Sequence, residues 1–140
     1  MTDDTDLDRF VRAQDPVWDD VRRELSSGRK TSHWMWFVFP QLRGLGRSET
    51  ARFFGITDRD EAEAYARHPV LGSRLDEATR LLLNHADTPI QDILGDTDAL
   101  KLRSSATLFE RTAPAPGPFT RVLDSFYDGE RCPHTEERLG

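Results

Sequence analysis

Seventeen of the nineteen basic residues are arginine, and the other two, Lys30 and Lys101, both lie in stretches that could do chemistry. A GC-rich genome accounts for most of this bias, but not for the two lysines it leaves. Lysine is a compact, strongly hydrated ammonium, whereas arginine is a planar fork, so the two are not interchangeable. Lys30 opens "KTSHWMWFVFPQLRGLG", and Lys101 opens "KLRSSATLFE". In the second stretch the ammonium of Lys101 and the hydroxyls of Ser104 and Ser105 form a group suited to phosphate or carboxylate. In the first, Trp34 and Trp36 offer indole faces on which bases or cations stack, and Gln41 offers an amide. His33 is a candidate general acid or base, because histidine changes charge near neutral pH. His33 and Lys101 are therefore the candidate catalytic pair, with Trp34, Trp36, Gln41, Ser104 and Ser105 as ligand contacts.

Each feature also has a structural reading. At about 100° per residue, Leu102, Ala106 and Phe109 form a core arc, and Lys101, Ser104, Ser105 and Leu108 form the arc beside it. Small serines there would let a second helix approach while the lysine stem runs out to water. Likewise His33, Phe37 and Gln41 share one helical side and Trp34 and Val38 another, so the aromatic run reads equally well as core with a buried polar network. A Ser–Lys nucleophilic dyad lacks a turn to present the serine and an oxyanion hole. The four histidines show no metal-ligand spacing, "GLG" at 44–46 lacks a dinucleotide fingerprint, and no P-loop or nucleophile elbow occurs. No metal and no cofactor are implied. Asp124 is the carboxylate expected to partner Lys101 or His33.

The elements that must position these groups read as helices throughout. Leu7, Phe10 and Val11 mark one face of a first helix over 6–14. An Asp15 cap with Pro16 at the first helical position opens a second, closed by Gly28, with Val17, Trp18, Val21 and Leu25 inward. Ser32 is placed to cap a helix running to Phe39, which Pro40 ends. A strand is disfavoured there, since no other segment alternates in a way that could pair with it. Ser48, Thr57/Asp58, Thr88/Pro89 and Asp96 signal further starts, and the amphipathic helix in "PVLGSRLDEATRLLLNHA" (69–86) buries Leu71, Leu75, Ala78, Leu81 and Leu82. A helix from "PFTRVLDSFYDGE" and a last turn in "HTEERLG" complete the chain. The expected fold is all-α, a single domain over 1–140 with seven to nine short helices.

The bulk properties limit the functions. A length of 140 residues suits one core. A net charge of −6 argues against non-specific nucleic-acid binding, and no basic amphipathic run suggests a membrane surface. The single cysteine, Cys132, fits a reducing compartment, and the acidic start "MTDDTDLDRF" is unlike a signal peptide. A cytoplasmic location is expected.

The segments "RFVRAQ", "GRKTSHWMWFVFPQLRGLGRS", "AYARHPVLGSRL", "KLRSSATLFE" and "LDSFYDG" resemble, in that order, a bacterial family known as domain of unknown function 1810. The resemblance spans about Asp6 to Leu139 and implies a compact all-helical domain without an assigned activity. Some members carry the label calpastatin, a protease-inhibitor name that the helical pattern here does not support. The family pattern includes His33, Trp34, Trp36, Pro40, Gln41, Lys101, Ser104 and Ser105, while Ala106 stands where it carries Met. Two functions follow as expectations. One is a pocket that binds, and could process, a small anionic ligand such as a nucleotide or phosphorylated metabolite. The other is a non-enzymatic module whose polar groups satisfy one another while its surface meets a protein partner.

Overall fold

The computed structural model describes residues 2–140, with side chains from Leu7 onward; Met1, the start of the acidic segment read against a signal peptide, lies outside the described residues. Helix α1 spans Thr2–Gln14, α2 Trp18–Ser27, α3 Met35–Val38, α4 Glu49–Phe53 and α5 Arg59–Arg67. They are followed by α6 over Leu71–Leu83, α7 over Ile90–Leu94, α8 over Asp96–Thr112, α9 over Gly117–Tyr127 and α10 over Pro133–Leu139. Among the described residues no strand occurs, apart from one parallel bridge between Leu42 and Ile56. The fold is all-α, and none of these helices is long and apolar enough to cross a membrane.

The longest helix, α8, forms the centre, with α5, α7, α9 and α10 packed around it, while α6 lies against α2, α5 and α9. Its surroundings explain its composition: small Ala99, Ser104, Ser105 and Ala106 are buried together with Leu102, Leu108 and Phe109. Small side chains let neighbouring helices approach on several sides at once. Phe10, Tyr65, Phe109 and Phe119 continue this core, with Tyr65 edge-on to Phe10 at 5.0 Å.

Several local expectations change. Asp15–Val17 forms a single 3-10 turn joining α1 to α2, and Asp15 makes no cap; its carboxylate pairs with Arg74 at 2.9 Å. Ser32 does not open α3, which is a single turn beginning at Met35, because a buried carboxylate on α2 captures the Ser32 hydroxyl. The starts read at Thr88 and Asp96 carry no side-chain cap either, since Pro89 and Gly95 hold the positions before α7 and α8, whereas other signals act as read. Ser48 accepts from Ala51 N–H and Asp58 from Glu61 N–H, each capping its helix. Gly28 closes α2 at φ +79°, a conformation that suits glycine. Leu81 is half-buried where Leu71, Leu75, Ala78 and Leu82 are buried.

The segment between α3 and α4 is bound tightly despite its lack of regular structure. Arg43 N–H donates to the Ile56 carbonyl at 2.8 Å and Ile56 N–H to the Gln41 carbonyl at 2.9 Å. The two stretches approach so closely that a Cβ at Gly55 would lie 2.7 Å from Arg43 Cα. Arg9 holds the same corner from α1, donating to the carbonyls of Phe53 and Gly55.

Candidate functional site

Helix α2 carries a carboxylate in its apolar stripe. Glu24 is buried beside Trp18, Val21 and Leu25, yet it is fully satisfied by the loop that follows. One oxygen accepts from Thr31 N–H at 2.7 Å, Ser32 N–H at 2.9 Å and the Trp34 indole N–H at 3.0 Å. The other accepts from the Ser32 hydroxyl at 2.6 Å. Burial opposes ionisation, but these donors outweigh it and pull the carboxyl from the ordinary 4.5 down to about 2. Trp34 is therefore a buried anchor that closes the network around Glu24.

The loop anchored by Glu24 delivers Lys30 to α8. Its ammonium sits 2.9 Å from Asp98, donates to the Ser32 carbonyl at 2.5 Å and lies 5.0 Å from the centre of the Trp34 ring. Lys101 reaches the other oxygen of the same Asp98 at 3.6 Å, and its ammonium lies 4.7 Å over Trp36. The two lysines of the chain thus share one carboxylate, each resting on its own tryptophan, and the trio keeps an excess positive charge. Their exposure differs: the Lys30 side chain is 7% exposed and Lys101 20%. Lys30 is structural in position, and Lys101 faces outward.

Lys101 opens onto a recess of about 550 Å³ between α8, the start of α10 and the glycine turn after Gln41. Gln41, Thr97, Lys101, Arg103, Ser104 and His134 provide its polar lining, and Leu45, Leu100 and Pro133 its apolar lining. Among the described residues no carboxylate lines it. Arg103 makes no ion pair among the described residues; its guanidinium donates to the carbonyls of Glu130 and Arg131 at 3.0 and 2.7 Å, fixing the segment between α9 and α10 to α8. Ser104 donates to the thiol of Cys132, which also borders the recess. Burial disfavours the thiolate, but the Ser104 hydroxyl and donors of Thr135 and His134 prevail, leaving the thiol below its ordinary range.

Among the residues singled out in the sequence, Gln41, Lys101 and Ser104 line the recess. Trp36 is half-buried beneath Lys101 without lining it, Trp34 is buried around Glu24, and Ser105 is buried inside the bundle. His33 is exposed and outside the lining. Asp124 is not the partner expected: Asp98 takes that place, three residues before Lys101 on the same helix, while exposed Asp124 acts on Arg131. The sequence reading passed over Glu24, Asp98, Arg103 and His134. A carboxylate interrupting the Trp18–Val21–Leu25 stripe was the available signal for Glu24; Arg103 and His134 gave none. Among the described residues no group of three histidine, cysteine or carboxylate side chains is placed to hold a metal.

A helical protein with a cation-lined recess at its central helix is the class that fold and site define. The chain belongs to the family described as protein of unknown function (DUF1810), whose model matches residues 4–139. It is similar to the conserved hypothetical protein Rv1873 from Mycobacterium tuberculosis, a crystal structure with 48% identity and a TM-score of 0.94 over 96% of each chain. Comparison with curated proteins yields no match.

Proposed function

We propose that the recess beside α8 binds a small anionic molecule, a nucleotide or phosphorylated metabolite. The observation that carries this is electrostatic. In a chain of net charge −6, the recess brings Lys101 and Arg103 together, with no carboxylate in its lining among the described residues. A cleft of one sign with low-dielectric walls concentrates its field and selects counter-ions locally, whatever the total charge. Its volume of about 550 Å³ suits a ligand of nucleotide size. Lys101 supplies charge, Gln41 and Ser104 hydrogen bonds, and Leu45, Leu100 and Pro133 an apolar bed for a ring. Trp36 holds the Lys101 stem in place by lying under its ammonium. The proposed activity is binding, since His33 lies outside the lining. A cytoplasmic setting belongs to the same proposal, being where such metabolites occur and where a single unpaired cysteine stays reduced.

A thermal-shift screen of nucleotides and sugar phosphates on wild type and Lys101→Ala tests this. A true ligand at about 100 times its Kd stabilises by roughly 2.7 kcal/mol, or about 8 °C for a chain of this size. If no compound stabilises wild type more than the variant, the proposal fails.

A further inference from the structure

A second cationic recess lies next to the first. Arg43, Arg47 and Arg52 line a hollow of about 610 Å³, with Gly44, Gly46 and Phe53 completing its lining. Gly46 also lines the recess of Lys101, so the two hollows meet at one residue. None of the three arginines makes an ion pair among the described residues, although Glu49 shares α4 with Arg52. Among the described residues only Arg43 of the three is tethered, and to a backbone carbonyl, not a carboxylate. The Arg43 guanidinium donates to the Arg52 carbonyl at 3.1 Å, and Arg138 of α10 donates to the Arg43 carbonyl from behind. Phe53 is 58% exposed, and its ring is fixed edge-on against Phe54 at 4.8 Å.

Resting on the binding reading above, the geometry points to a dinucleotide as the ligand class. One phosphate-bearing nucleoside occupies the recess of Lys101 and Arg103, the chain crosses Gly46, and the second phosphate meets the arginines while its base stacks on Phe53. Each part of this assignment uses an observed feature. Guanidinium forks match phosphate oxygens two at a time. An exposed, fixed aromatic ring beside them accepts a base face without regard to its edge. Two separate phosphate stations that share Gly46 in their linings call for two phosphates on one ligand, which a mononucleotide with its single anionic end does not offer.

The test measures binding of AMP and of the dinucleotide pApA at about 50 mM salt. It compares wild type with Arg47→Gln/Arg52→Gln, Phe53→Ala and Lys101→Ala. Arg47 and Arg52 donate no side-chain hydrogen bond among the described residues, so their replacement leaves the fold intact, and circular dichroism verifies this. Wild type is expected to bind pApA at least tenfold more tightly than AMP. The double arginine variant should lose that advantage while binding AMP within twofold of wild type. Phe53→Ala should weaken pApA severalfold, and Lys101→Ala should weaken both probes. The inference is overturned if the arginine variant binds pApA as wild type does, or if wild type does not distinguish the two probes. AMP binding that depends on Lys101, without any preference for pApA, would remove the second recess and leave the first. Failure of both probes removes the dinucleotide, and the sugar-phosphate arm of the thermal screen then decides the binding reading on its own.

Discussion

Replacing Glu24 with glutamine removes one charge from the network that holds the Lys30 loop while leaving its shape nearly unchanged. The amide oxygen can take the place of the oxygen that accepts from Thr31, Ser32 and Trp34, and the amide NH₂ then faces the Ser32 hydroxyl, which can turn to accept. What is lost is the preference of those donors for a carboxylate. A carboxyl lowered from 4.5 to about 2 corresponds to roughly 3 kcal/mol in favour of the ionised folded state. The sign follows from linkage. Because the folded value is the depressed one, this stabilisation is complete above about pH 4.5 and is lost as pH falls toward 2. Urea unfolding of wild type and Glu24→Gln at a series of pH values isolates the effect, since the other carboxylates largely cancel in the difference. Wild type should exceed the variant by about 2–3 kcal/mol at pH 7, and the gap should narrow by about 2 kcal/mol by pH 3. A gap that stays constant over that range, or one below about 0.5 kcal/mol at pH 7, refutes the account of a carboxylate held ionised by its donors.

Two further outcomes test the architecture. Asp98→Ala leaves the ammonium groups of Lys30 and Lys101 facing each other without their shared carboxylate, Lys30 being nearly enclosed. It should cost about 2–4 kcal/mol in chemical denaturation, and adding Lys30→Met should recover part of that loss. Gly72→Ala places a methyl 2.2 Å from the Ala66 carbonyl oxygen, a backbone atom that cannot step aside. A loss of at least 2 kcal/mol in the same assay is expected, because α5 and α6 would have to separate.

The sequence by itself determined the helical character of the chain and most of its helix ends. The caps at Ser48 and Asp58, the stop at Gly28 and the apolar stripe of α6 are consequences of spacing within a few residues, and the structure forms them where the spacing puts them. Local signals failed where a distant group made the better offer. Ser32 has the chemistry of a helix cap, yet Glu24, eight residues back, holds its hydroxyl, and α3 starts two residues late. Asp15 behaves likewise, giving its carboxylate to Arg74 across the fold.

The site divides along the same line. That Lys101 and Ser104 share one side of a helix follows from helical periodicity, and the unusual lysines were visible as composition. The meeting of both lysines at Asp98, the seating of Trp36 under Lys101 and the gathering of Arg103 and His134 into one lining depend on four separate stretches arriving together. Apart from the Asp98–Lys101 pair, which is three residues apart on α8, tertiary structure decided these, because the groups that meet lie farther apart along the chain than any local periodicity reaches.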